Sequence, residues 1–189
     1  MCPVLFDKRK KLHIYGAKRN GLQIEEQFRL LISPPLWPVS PEQVGSAITF
    51  HTIDGAFELG PVRVDVMEGP HPGGVTLFRL TGGGKSVVYL TDCSLTEDFF
   101  SKAAAFSQDC DLLLCDGQYA EDEWSVRKHF GHSTWTAAAQ LAAAANAKCA
   151  RIIHHDPFRT DRELDAAAKN LACIHPGCTF AYAGENIVL

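Results

Sequence analysis

Residues 151–157 read RIIHHDP, an apolar run typical of a β-strand that ends in two histidines. Two earlier apolar runs end in an aspartate instead: residues 86–92 read SVVYLTD, and residues 111–116 read DLLLCD. Segments of helix length separate the three runs. This alternation predicts a mixed sheet covered by helices, with aspartate and histidine at the ends of successive strands. Ligands such as metal ions are bound at strand ends of this kind.

The rest of the chain also divides into strand-like and helix-like segments. We expect a strand at 12–15, a helix at 22–32 and a surface loop at 33–41, where four prolines exclude a helix. Four β-type runs divided by glycine-rich turns predict an antiparallel meander: 48–52, 62–67, 75–80 and 86–91. The elements expected after the meander are helices at 95–106, 134–147 and 161–171, strands at 111–115 and 151–154, and closing β-runs at 180–182 and 187–189.

The composition is that of a soluble globular protein. The 189 residues are 46% hydrophobic and 21% charged, and no repeat or linker divides them, so we expect a single domain, residues 1–189. A formal net charge of −4 gives no sign of nucleic-acid binding but does not exclude a local basic patch. Seven scattered cysteines predict reduced thiols, and no apolar run approaches the roughly 20 residues of a membrane span. These features predict a cytoplasmic protein without a membrane segment.

Two candidate metal ligands have competing interpretations when each is considered alone. His71 precedes Pro72-Gly73-Gly74, so it is either a ligand held in a rigid turn or a solvated turn histidine. Asp92 follows a buried run and needs a partner for its charge. That partner is either a metal ion or the N-terminus of a helix starting near Ser94.

Two further histidines lie at predicted element boundaries. Successive side chains of a strand point in opposite directions, so only one of His154 and His155 can face a given site. We assign His154 as the ligand and His155 as a supporting or exposed residue. His132 precedes a predicted helix, where it can contact an anion or an oxyanion, and Asp116 can orient its ring. The alternative for His132 is an exposed residue in a helix-capping segment.

Taken in order, these motifs resemble the metallo-β-lactamase superfamily. They are HPGG at 71–74, YLTD at 89–92, CDGQY at 115–119, GHST at 131–134 and IHHDP at 153–157. The resemblance extends from about Leu12 to Leu189 and is nearest to the tRNA 3′-processing endonucleases and cyclic-nucleotide phosphodiesterases. It implies an α/β fold, an αββα sandwich.

The resemblance also implies a chemistry and a set of site residues. Two divalent ions, usually zinc, would activate a water or hydroxide as the nucleophile. His71 would bind the first metal, Asp92 would bridge both metals, and His154 would bind the second. Asp116 and His132 would contact the phosphate and protonate the leaving oxygen. The implied substrate is a small phosphodiester or similar ester, and the implied reaction is its hydrolysis.

One part of the superfamily pattern has no counterpart in this sequence. The His-x-His-x-Asp-His motif that supplies most of the remaining ligands does not occur, and the chain starts about where that motif would have ended. The resemblance therefore implies a sandwich truncated at its N-terminus and a site with too few ligands, which predicts weak metal binding and slow turnover.

Three interpretations of this departure are open. The chain is a fragment or has a misassigned start, or it is a degenerate, non-catalytic member that acts as a binding or partner subunit, or another chain donates the missing strands and ligands. Loss of strands would leave a sheet edge or an apolar face exposed, so we also expect self-association.

Overall fold

The computed structural model describes residues 3–44 and 47–189. They form two compact units, one up to Ala56 and the other Phe57–Leu189. We describe each unit by itself. In the described part of the chain, no helix has the length and apolar character needed to cross a membrane.

The first unit contains a two-stranded sheet and one α-helix. Strands β1 (Lys11–Ala17) and β2 (Ala47–Ile53) pair in parallel, and helix α1 (Ile24–Leu31) connects them. The helix begins after Gln23, whose backbone N–H donates to the Glu26 carboxylate at 2.7 Å and so satisfies one free donor at the helix start. The predicted strand and helix are confirmed. The predicted loop contains neither an α-helix nor a strand, and 3₁₀-helices lie at Pro3–Phe6 and Pro41–Gln43.

The second unit contains a seven-stranded sheet in which spatial order follows sequence order. The first four strands are antiparallel neighbours, and the last four are parallel neighbours. The strands are β3 (Phe57–Leu59), β4 (Val62–Gly69), β5 (Val75–Gly82), β6 (Lys85–Leu90), β7 (Leu112–Asp116), β8 (Ala150–Ile153) and β9 (Cys178–Phe180).

Helices connect the parallel strands, as the alternating pattern predicts. They are α2 (Glu97–Phe106), α3 (Trp124–Arg127), α4 (Trp135–Ala144) and α5 (Asp161–Ile174), with a 3₁₀-helix at Glu121–Glu123. Helix α4 contacts both α2 and α5. Its alanine-rich face is buried because small side chains let it pack closely on the sheet, against buried residues such as Leu113 and Ile152. The predicted mixed α/β class is confirmed.

Two predictions about strands are wrong. The run at 48–52 belongs to β2, which pairs in parallel with β1, so the antiparallel meander contains only β3 to β6. Residues 187–189 form no strand, and Val188 is 90% exposed. An apolar run forms a strand only where a partner strand supplies hydrogen bonds. The run itself does not reveal which strand is its partner, or whether a partner exists.

Candidate metal centre

The predicted site residues meet at one edge of the seven-stranded sheet. Strand β5 is antiparallel to both β4 and β6, and β6, β7 and β8 are parallel, so four strands end at the same edge. His71 and Asp92 lie two residues beyond β4 and β6, Asp116 is the last residue of β7, and His154 directly follows β8. All of them belong to the second unit.

Asp116 and His132 form the most buried pair of this edge. The Asp116 side chain is fully buried, and the His132 ring is 11% exposed. Asp116 Oδ2 lies 2.9 Å from His132 Nδ1, and Oδ1 accepts backbone N–H bonds from Ser133 at 3.0 Å and Gln118 at 3.3 Å. Because an ionised carboxylate only accepts, Nδ1 carries the proton and Nε2 is left for another partner. The hydrogen bond to Asp116 raises the pKa of His132, and burial opposes that rise.

His154 lies between the two carboxylates. Its Nε2 is 3.4 Å from Asp92 Oδ1, and its Nδ1 is 3.4 Å from Asp116 Oδ2. The ring stacks on His132 with 4.7 Å between centroids. About a third of the His154 and Asp92 side chains is exposed, 34% and 38% respectively, so a ligand can reach both. The structure therefore brings together one buried and one accessible carboxylate around a single imidazole.

His71 completes the cluster through its contact with the loop that precedes α4. Its ring meets the His132 ring edge-on at 5.5 Å. A Cβ atom at Gly131 would lie 2.4 Å from Pro72 Cδ and 2.5 Å from His71 Cδ2, and Gly131 has a φ of +94°. Only glycine combines that backbone conformation with so close an approach. Gly131 therefore allows the His71 turn and His132 to come together.

Two site residues occupy the left-handed backbone region. Asp92 has a φ of +49° and His154 a φ of +61°. Residues other than glycine adopt this conformation at a cost of roughly 1–2 kcal/mol. Such strain persists only where surrounding contacts enforce it and is concentrated at functional sites. Here it occurs at two of the three predicted metal ligands.

Ser133 ties the site loops together, a role that the sequence does not indicate. Its hydroxyl donates to the Cys93 carbonyl and accepts from the Leu95 backbone N–H at 2.9 Å. The Ser94 hydroxyl donates to the His132 carbonyl at 3.2 Å. The loop after β6 and the loop before α4 are thus joined by buried hydrogen bonds, which fix Asp92 and His132 relative to each other.

The structure distinguishes some of the competing interpretations. Asp92 does not cap a helix, because α2 begins later and its N-cap is Thr96. Thr134 caps α4 by accepting from the Ala137 backbone N–H. His155 is turned away from the cluster, and its Nε2 lies 3.1 Å from the Ala181 carbonyl oxygen. The two histidines thus face different ways, but strand alternation is not the cause, because β8 ends at Ile153 and His154 has a φ of +61°.

Comparison with known proteins identifies the family. The profile of the beta-lactamase superfamily domain matches residues 3–155. The chain belongs to this superfamily. A Ribonuclease Z of Prochlorococcus marinus (strain NATL1A) is 39% identical over 77 residues, which are 41% of this chain and 23% of that protein. A Ribonuclease Z of Lachnospira eligens is 31% identical over 109 residues, which are 56% of this chain and 33% of that protein. The matches thus span a third or less of these relatives.

Solved structures share the superfamily fold. The metallo-beta-lactamase fold protein YhfI from Bacillus subtilis has a TM-score of 0.68 at 21% identity, covering 93% of this chain and 64% of that protein. Human tRNase Z, short form, has a TM-score of 0.61 at 17% identity, covering 79% of this chain and 62% of its own. Zn²⁺-bound PqqB from Methylobacterium extorquens has a TM-score of 0.64 at 17% identity, covering 98% of this chain and 67% of its own. These similarities confirm the metallo-β-lactamase fold.

The side chains of the cluster suit a zinc ion. Two groups of three have ligand atoms within 4.8 Å of one another: His71, Asp92 and His132, and Asp116, His132 and His154. Imidazole nitrogen and carboxylate oxygen are common zinc ligands. Among the described residues, neither Asp92 nor Asp116 forms an ion pair with a lysine or arginine. A cation is the partner that this charge distribution lacks, so the residues present fit the metal that the superfamily implies.

Proposed function

We propose that this superfamily member is a metal-dependent hydrolase of phosphodiesters. In this proposal His71, Asp92 and His154 bind metal, and Asp116 and His132 act on the substrate. The observation that carries the proposal is the buried Asp116–His132 pair beside two accessible ligands. Asp116 accepts the hydrogen bond from His132 Nδ1, so Nε2 is available to another partner, which we propose is the leaving oxygen of the substrate.

Each proposed ligand has a distinct position relative to the metal. Asp92 lies next to His154 and is in one candidate ligand group with His71 and His132, which supports the proposal that it would bridge two ions. A zinc ion held by these residues would supply an activated water as the nucleophile near neutral pH. The donor atoms of the three proposed ligands lie at the sheet edge. The left-handed backbone at Asp92 and His154 fixes the direction of these two side chains.

His132 is proposed as the group that contacts the phosphate and protonates the leaving oxygen. Asp116 accepts the hydrogen bond from Nδ1–H, so the ring is fixed with Nε2 available to the substrate. The raised pKa of His132 keeps the imidazolium form present at higher pH than for a free histidine. That form donates a proton from Nε2 to the departing alkoxide, and Asp116 stabilises the positive charge before transfer.

Phosphodiesters are favoured over β-lactams as substrates. The Asp116–His132 pair supplies a proton donor, and hydrolysis of a diester needs such a donor beside the leaving oxygen. A small phosphodiester is the proposed substrate. The relatives named Ribonuclease Z raise RNA as a larger substrate of the same bond type. The net charge of −4 gives no support for RNA. Cytoplasmic location and self-association are still predictions.

The ligand count sets the expected strength of the site. The sequence contains no His-x-His-x-Asp-His motif, so three proposed ligands are shared between two ions. Stable zinc sites have about three or four protein ligands per ion. We therefore propose an incomplete site in this chain, with weak zinc binding and slow turnover. A donor from a partner chain would raise the affinity.

The test compares two diesters that differ in the pKa of their leaving group. Hydrolysis of bis(p-nitrophenyl) phosphate and of bis(phenyl) phosphate is measured with excess Zn²⁺ or Mn²⁺ for the wild type and for His132→Gln and His154→Ala. His154→Ala is expected to lower both rates. His132→Gln is expected to lower the phenyl ester rate more, because phenolate leaves less readily without a proton.

Three outcomes would count against the proposal. Equal losses for both esters in His132→Gln would remove the proton-donor role. Metal-independent hydrolysis would contradict the proposed metal dependence. No hydrolysis by a protein that binds zinc at His154 would favour the non-catalytic binding subunit instead. Circular dichroism of each variant confirms that the fold is retained.

A further inference from the structure

An open cavity of about 640 Å³ lies between helix α5 and strand β9, and shares no residue with the candidate metal centre. Its apolar wall is formed by Leu164 and Ala168 of the helix and Phe180 of the strand. Phe180 is 7% exposed and is held from behind by an edge-on contact with Trp135. Clefts that bind small organic ligands have volumes of roughly 300–1,000 Å³ and a mostly apolar lining.

The charged groups of the cavity are all of one sign. Asp161 and Asp165 are four residues apart on α5, so they lie on the same face of the helix, one turn apart. Both are exposed, and within the described ranges neither is in an ion pair. Arg159, which precedes the helix, is already paired with Glu123 and Glu163. Asp161 lies in the first turn of α5, where the helix amides favour a negative charge, and Asp165 lies one turn further along. The cavity therefore presents two carboxylates that are in no ion pair among the described residues.

The histidine in the cavity wall offers no donor to a ligand. His155 Nε2 is 3.1 Å from the Ala181 carbonyl oxygen, which only accepts, so the ring N–H is used there. Nδ1 is then an acceptor, and it is buried without a hydrogen-bond partner among the described residues. The ring is fixed by its edge-on contact with Phe180 at 5.3 Å. An anion would meet no charged donor in this lining.

Tyr182 adds a surface suited to a cation. The residue lines the cavity and is 70% exposed, although it is a large aromatic side chain. The face of an aromatic ring attracts an ammonium or guanidinium group. Two carboxylates, an aromatic face and an apolar wall are complementary to a ligand with a cationic head and an apolar body.

We propose that this cavity binds a small organic cation, an amine or guanidinium group attached to an apolar or aromatic body. The cationic head pairs with Asp161 and Asp165, and the apolar part packs against Leu164, Ala168 and Phe180. The site is separate from the proposed hydrolytic site, so either proposal can fail without the other.

The probes for the test are 2-phenylethylamine, 2-phenylethanol and phenylacetate, which share a ring and differ in charge. Calorimetric titration of the full chain is expected to show one saturable site for the amine, with binding at least about tenfold weaker for the alcohol and the anion. The double variant Asp161→Asn/Asp165→Asn is expected to remove the preference for the amine. Asp98→Asn, which removes an exposed carboxylate from α2, is the matched control and should leave it unchanged.

A second variant tests the cavity independently of the carboxylates. Tyr182→Ala removes an exposed ring, so folding should be retained, and binding of the amine is expected to weaken several-fold. The proposal is overturned if the three probes bind equally, if none saturates, or if the double variant binds the amine as well as the wild type does.

Discussion

Strand β7 has a buried aspartate at each end, and the two carboxylates have different partners. Asp111, just before the strand, accepts from Lys148 Nζ at 2.9 Å, from Lys85 Nζ at 3.4 Å and from the Ser86 backbone N–H at 2.8 Å. Asp116, at the far end, has two histidines and two backbone amides instead. Burial and residue type are alike, so the difference lies in the charge of the neighbours.

This contrast separates a carboxylate paired with lysines from one whose neighbours are histidines. The lysines hold the pKa of Asp111 down at about 2, with the hydrogen bond to Lys148 as the main cause. Histidines near Asp116 can be neutral or charged and can bind metal, so the charge of that end depends on pH and on a bound ion. We infer that one end of the sheet stabilises the fold and the other performs the function.

The largest expected effect is the loss of metal from the edge that contains Asp116. Asp92→Asn is expected to lower zinc affinity by about a hundredfold or more, because the carboxylate proposed to bridge two ions becomes a neutral amide. Calorimetric titration with Zn²⁺ checks this. Asp111→Asn makes the same chemical change at the other end and should leave the zinc affinity unaltered. Equal zinc affinity in Asp92→Asn and the wild type would contradict the assignment.

A backbone substitution sharpens the comparison within the site edge. Gly131→Ala is expected to weaken zinc binding by about tenfold, because its Cβ would displace the His71 ring. Gly73→Ala is the matched control, since Gly73 has a similar φ of +87° but no atom within 4 Å of the added Cβ. Calorimetric titration with Zn²⁺ compares the two variants. If both lose the same affinity, backbone strain explains the result and the contact with His71 does not.

The opposite edge is expected to affect stability alone. Asp111→Asn should lower the melting temperature by a few degrees at pH 7, without changing the response to zinc. The folded pKa of Asp111, about 2, lies below the ordinary value of 3.8, so its stabilisation is complete above that ordinary value. It is lost as the pH falls through about 2. The melting temperatures of the wild type and Asp111→Asn are compared by circular dichroism from pH 7 to pH 3. The difference between them should become smaller only at the acidic end of this range.

The smallest effect concerns the titration of His132 in chelator-treated protein. Its pKa is raised by the hydrogen bond to Asp116, so NMR titration should place it above the ordinary value of 6.5. The related stabilisation is present below that ordinary value and is lost as the pH rises through the folded pKa. Asp116→Asn should lower the pKa of His132. An unchanged pKa in this variant would show that the pair is not coupled as the geometry indicates.

The sequence predicted which residues gather at the sheet edge better than it predicted the contacts between the loops there. His71, Asp92, Asp116 and His154 follow apolar runs, and alternation of strands and helices makes such ends converge, so the cluster is visible in the pattern. The roles of Ser133 and Gly131 are not visible, because they depend on contacts with loops far away in the sequence. Local patterns carry no information on such partners.

The same limit explains the errors in the fold. The sequence of β2 is typical of a strand, but nothing in it indicates that its partner is β1 and not the next β-type run, residues 62–67. The apolar residues 187–189 have the same signature, but no described segment pairs with them as a strand. The hydrogen bond of His155 to Ala181, which orients a wall of the cavity, joins residues 26 positions apart. Pairing is decided by the tertiary structure, whereas strand character is local.

The central claim is that the edge with Asp92, Asp116 and His154 is a metal centre. The most direct test is a zinc titration with a competing colorimetric chelator, performed on the wild type, His154→Ala and Asp111→Asn. The account predicts saturable binding in the wild type and in Asp111→Asn, and its loss in His154→Ala. Equal zinc affinity in His154→Ala and the wild type, or no saturable binding in any of the three proteins, would contradict it.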